Sequence, residues 1–120
     1  MGITFVDATV AGPKGRKKLE FLIDIGAWHS LLPIDVWRGL GIKPMHKQVF
    51  TLADGTHIVR DISECWFTFE GRRHHVPVVL GRRGDDALLG ATTLEILGLV
   101  FDPLSRTLKP MRAVPIHLVA

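Results

Sequence analysis

The hydrophobic pattern opens with Ile3 to Val10, rich in β-branched residues, which predicts a strand. It ends at Ala11-Gly12-Pro13-Lys14-Gly15, a stretch of turn-tolerant residues, and Lys18 to Asp24 returns as its partner. Leu22 and Asp24 fall on one face of that partner and Leu19, Phe21 and Ile23 on the other. Both faces are mostly apolar, as in a strand buried in a small barrel.

At Pro33 to Gly41 the period changes. Ile34, Trp37 and Leu40 recur at helical spacing and are expected to pack inward, Pro33 suits a first turn, Asp35 lies near the N-terminal dipole and Gly41 is a stop. Gln48 to Leu52 and Thr56 to Ile62 read as strands around Ala53-Asp54-Gly55-Thr56, and Asp-Gly between such segments is a strong hairpin signal. A further strand runs through Cys65 to Phe69, where Ile58, Ile62 and Trp66 share one face and Cys65, Phe67 and Phe69 the other. That imperfect alternation calls for a bulge or for burial on both faces. Glu70 to Arg73 is a turn, and His74 to Leu80 a strand in which Pro77 favours a sheet edge or bulge. A polar loop, Gly81 to Asp86, leads to Ala87-Leu88-Leu89-Gly90. Thr92-Thr93-Leu94-Glu95 then has the form of a capping box, with Gly98 as helix stop. Leu99 to Phe101, a turn at Asp102 to Arg106, and Thr107 to Lys109 complete the pattern. Residues 1–110 are expected to form the domain, followed by a 111–120 tail whose conformation the pattern leaves open.

Composition adds limits more than directions. A chain of 120 residues is one domain by size, and no apolar run approaches the roughly 20 residues needed to span a bilayer. The first residues lack the basic-then-apolar order of a signal peptide, so a cytoplasmic, non-membrane location is expected. Cys65 is the sole cysteine and reads as a small buried apolar residue. A net charge of +3 is spread over Lys14 to Lys18, Arg72-Arg73 and Arg82-Arg83, each beside a glycine. Solvated turns explain these better than a nucleic-acid surface. The adjacent His74 and His75 point to opposite faces of a strand with no cysteine or carboxylate to complete a site, so no metal or other cofactor is expected.

The stretch that asks for chemistry is Phe21-Leu22-Ile23-Asp24-Ile25-Gly26-Ala27, an apolar run carried straight into one carboxylate and then a turn. Burying a carboxylate costs several kcal/mol unless it is paired or hydrogen-bonded. These residues resemble the active-site loop of the retroviral-type (retropepsin-like) aspartic proteases, in which apolar residues precede Asp-Thr/Ser-Gly-Ala. Asp24, Gly26 and Ala27 match, as does Ser30-Leu31-Leu32-Pro33, and Ala87-Leu88-Leu89-Gly90 with its short helix resembles the family's second element. Ile25 stands where the family has a hydroxyl residue.

The resemblance implies an all-β closed barrel with one or two short helices. It also implies an aspartic endopeptidase acting on extended polypeptides. Such hydrolysis needs one carboxylate to take a proton from water while another gives one to the substrate carbonyl. Only Asp24 has the right setting here, so the resemblance implies a homodimer in which each copy contributes its Asp24. By the same resemblance, Gly26 and Ala27 lie against substrate, Ala53, Asp54, Gly55 and Thr56 form a flap, and Ile25, Leu89 and Gly90 support the loop and dimer. Leu31, Leu52, Ile58, Val79 and Leu88 are candidates for apolar pockets. The alternative is a non-catalytic dimeric peptide-binding or scaffold module, weakened by an Ile25 side chain that has no hydrogen-bond donor.

Overall fold

A computed structural model describes residues 3–112. β1 (Phe5–Gly12) and β2 (Gly15–Ile23) pair as an antiparallel hairpin, with Val10 opposite Lys17 and Val6 opposite Phe21. Pro13 and Lys14 alone form the turn, so β2 begins three residues earlier than its apolar residues suggest. β3 (Ser30–Leu32) follows the Asp24 loop; its three residues are too few to show a period, and the pattern missed it. Next come α1 (Ile34–Gly39), β4 (His46–Thr51), β5 (His57–Phe69), β6 (Arg72–Leu80), β7 (Leu88–Leu89), α2 (Ala91–Leu97), β8 (Leu99–Asp102) and β9 (Thr107–Pro110).

Six strands close a ring in the order β1, β2, β7, β3, β6, β5, with β5 returning to β1, and β4 extends outward from β5. β8 and β9 form a separate two-stranded sheet. The ring is packed with side chains: Phe21 and Phe67 meet with ring centroids 5.1 Å apart, and Val10, Leu32, Val76, Val78, Leu89 and Leu97 are buried around them. The closed β-barrel with two short helices is therefore present as expected.

β5 is one strand of 13 residues, where the pattern suggested two. Its register with β6 runs unbroken from Asp61 opposite Leu80 to Phe69 opposite Arg72, so the broken alternation comes from burial on both faces, with neighbouring Ile62 and Ser63 both buried. Pro77 pairs with Glu64 on one side, and the β3 pairing begins one residue later at Val78. The missing N–H thus falls on an edge.

The capping-box expectation fails. Gly90 is the N-cap of α2, placing Thr92 inside the first turn, and there is no side-chain cap hydrogen bond. The tertiary packing of Thr93 fixes that phase, as described below. Gly98 does end the helix in the left-handed conformation. In α1 it is Val36 and Leu40 that are buried, while Ile34 and Trp37 are half-buried and the indole Nε1–H of Trp37 donates to Gly81 O at 2.8 Å. Met111 N donates to Gly98 O at 2.8 Å, and the expected tail beyond residue 112 lies outside the described residues.

Candidate active site

The apolar end of β2 delivers Asp24 to the barrel rim. Leu22 and Ile23 pair in parallel with Leu88 and Leu89, and Asp24 N donates to Leu89 O at 3.0 Å, so the two sequence-distant motifs meet at the carboxylate. Asp24 is half-buried, and its Oδ1 accepts from Gly26 N at 3.1 Å. Ala27 N donates to Asp24 O at 3.1 Å, closing a tight turn.

The first turn of α2 pins the far side of this loop. Ala91 N donates to Ala27 O at 2.8 Å and Thr92 N to Trp28 O at 2.9 Å. Gly90 permits the approach, since a Cβ there would lie 2.6 Å from both the carbonyl carbon and the oxygen of His29. Beneath, the buried Ser30 Oγ sits 2.6 Å from the buried Thr93 Oγ1 and accepts from Gly90 N at 3.0 Å. Strand, loop and helix are thereby locked into one unit.

On top of the loop lies a cavity of about 700 Å³, a size suited to an extended ligand. Gly26, Ala27 and Leu31 line one side and Phe50 to Leu52, Ile58 and Arg60 of the β4–β5 arm the other. The arm turns at Asp54, whose Oδ1 accepts from Thr56 N at 2.8 Å, and Gly55 adopts φ +87°, which favours glycine. Hydrogen bonding from Thr56, side chain first and then backbone, holds the exposed Asp54 carboxyl below its ordinary pKa. Ile25 and Trp28 leave 62 % and 78 % of their surface exposed beside Asp24, an apolar rim around a carboxyl group.

A family model described as aspartyl protease matches residues 6–93, well over half the chain. The chain belongs to the aspartyl protease family. The fold of this family member is similar to that of EIAV protease complexed with the inhibitor HBY-793, with a TM-score of 0.61 and 17% identity over 81% of this chain and 89% of that one. The solution structure of Simian Foamy Virus (mac) protease is likewise similar, with a TM-score of 0.56 and 20% identity over 80% and 94% of the two chains. No curated protein matches the sequence.

The five apolar residues singled out for pockets, Leu31, Leu52, Ile58, Val79 and Leu88, all line the cavity. Gly26 and Ala27 line it too, whereas Ala53, Asp54, Gly55 and Thr56 form the turn beyond its lining, at the end of the arm. Sequence reasoning overlooked Gln48, Phe50, Arg60 and Asp85, which line the same space, and the Ser30–Thr93 pair. Arg60 shares the face of Ile58 and Ile62 by alternation, a signal that was available. His29 also lines the cavity; its Nδ1 is buried without a hydrogen-bond partner among the described residues. Among these residues no cluster of metal-ligating side chains occurs, and His75 Nδ1 instead lies 3.1 Å from Glu64.

Proposed function

We propose that this aspartyl protease family member is an active endopeptidase that works as a homodimer, with residues 1–110 as its protease domain. Two copies of Asp24 share a proton across the two-fold axis; one activates water and the other protonates the substrate carbonyl. Two carboxylates that close cannot both ionise, which favours activity at mildly acidic pH. The carrying observation is the placement of Asp24: half-buried on a loop tied to Leu89 and Ala91, with its carboxylate oriented by the Gly26 N–H. The extended polypeptide lies in the groove above, against Gly26 and Ala27, and the turn from Ala53 to Thr56 closes over it as a flap. The lone thiol, Cys65, which allows no internal disulfide, fits a reducing, cytoplasmic setting.

The exposed Ile25 side chain supports apolar contact between paired loops in place of a hydroxyl hydrogen bond. It equally supports the second reading, a peptide-binding module without turnover. Cleavage of an unstructured polypeptide library, lost by orders of magnitude in Asp24→Asn, is expected. Binding without any cleavage across the pH range would establish the second reading. In Ile25→Thr, kcat is expected to rise with little change in KM, because the restored hydroxyl stiffens the loop that holds the carboxylate.

A further inference from the structure

Arg60 is the only arginine or lysine lining the groove among the described residues. It is half-buried, and its Nη1 donates to Val59 O at 3.0 Å. Arg82, on the loop after β6, donates Nη2 to the same oxygen at 3.1 Å. Two guanidinium groups therefore converge on one neutral acceptor. Like charges so placed repel each other, to an extent that the surrounding water moderates.

Nearby carboxylates relieve it only in part. Asp61 is engaged with Lys47 Nζ at 2.9 Å. Asp85, the one acidic residue lining the groove among the described residues, accepts from the backbone N–H of Arg82 at 2.7 Å, which shapes the loop carrying Arg82. Neither guanidinium is in an ion pair among the described residues. Each uses one of its five N–H donors on Val59, which leaves both able to grip a carboxylate.

We propose that Arg60 and Arg82, joined through the Val59 carbonyl, form an anion subsite of the groove that takes a carboxylate of the bound polypeptide and selects acidic peptides. The proposal rests on reading the groove as a peptide channel. The carboxylate belongs either to an Asp or Glu side chain or to a peptide C-terminus.

Peptides from the cleavable set, paired as Glu against Gln at each position and as free acid against C-terminal amide, test it on the full-length protein. One position, or the terminus, is expected to favour the acid by at least about tenfold in kcat/KM, as a charge-assisted hydrogen bond would give. Arg60→Met and Arg82→Met should each erase that ratio, Arg60→Glu should reverse it in favour of Lys, and Lys17→Met, on the β1–β2 hairpin, should leave it unchanged. The same pairs titrated into the Asp24→Asn protein by calorimetry read binding without turnover. Cleavage with equal acid and amide rates at every position overturns the subsite and leaves the protease reading standing. Acid-selective binding without cleavage overturns the protease reading and supports the subsite. Absence of both binding and cleavage overturns the two together.

Discussion

The Ser30–Thr93 hydroxyl pair is the smallest unit on which the loop geometry depends. Ser30 Oγ serves two partners at once, Thr93 Oγ1 and Gly90 N, whereas Thr93 Oγ1 has one. Ser30→Ala leaves a buried hydroxyl and a buried N–H unsatisfied, and should cost about 1–3 kcal/mol, with Thr93→Val costing less. Urea titration of both variants and the double mutant gives the coupling. Gly90→Ala should be worse for function than for folding, because the added Cβ meets backbone on the His29 side and must displace the loop. Cys65 makes a different prediction. Burial pushes its thiol up to about 12, so at pH 8 it should resist alkylation in the native protein and react once urea unfolds it, as mass spectrometry would show. The tight turn through Asp24, Gly26 and Ala27 is legible in the sequence because it is made by neighbouring residues. Ser30 with Thr93 and Arg60 with Arg82 were not, since each pair is made by strand closure across distant segments.

Among the elements, hairpins were the easiest to read and α2 the hardest. Asp54-Gly55 announces the β4–β5 arm through turn chemistry alone. Nothing local distinguishes Gly90 from Thr92 as the start of α2; burial of Thr93 against Ser30 decides it. The β8–β9 hairpin carries a charge that can be titrated. Asp102 Oδ2 lies 2.7 Å from Lys109 Nζ, and Oδ1 accepts from Leu104 N at 2.9 Å. Hydrogen bonding to Lys109 first, and to the turn backbone next, lowers its pKa from 3.8 to about 2. A folded-state pKa below the unfolded value contributes stability that is present above about pH 4 and fades as pH falls towards 2. Because the pair lies at the surface, with Asp102 half-buried and Lys109 exposed, the effect is small. Lys109→Met should therefore raise the Asp102 titration midpoint, followed by carboxyl carbon NMR, and flatten the acid limb of the stability curve.

At the scale of the molecule, the proposed two-copy mechanism starts from how the barrel presents Asp24. Ring closure brings Asp24 beside Leu89, yet among the described residues its carboxylate accepts its hydrogen bond from Gly26 and no other carboxylate joins it. The exposed Ile25 and Trp28 surround it with apolar surface that a second copy would cover. If catalysis needs two Asp24 side chains from two copies, mixing wild-type and Asp24→Asn protein under exchange must dilute the active species twice over. With equal amounts and random pairing, about a quarter of the dimers hold two Asp24 carboxylates, so activity should fall to about a quarter of that of the same total concentration of wild type. A fall to one half, linear in the wild-type fraction, would mean that each chain acts alone. The mixture should also lose activity faster than linearly on dilution, with the same midpoint as the loss of dimer mass in sedimentation, because subunit association and the assembly of the site are then one equilibrium.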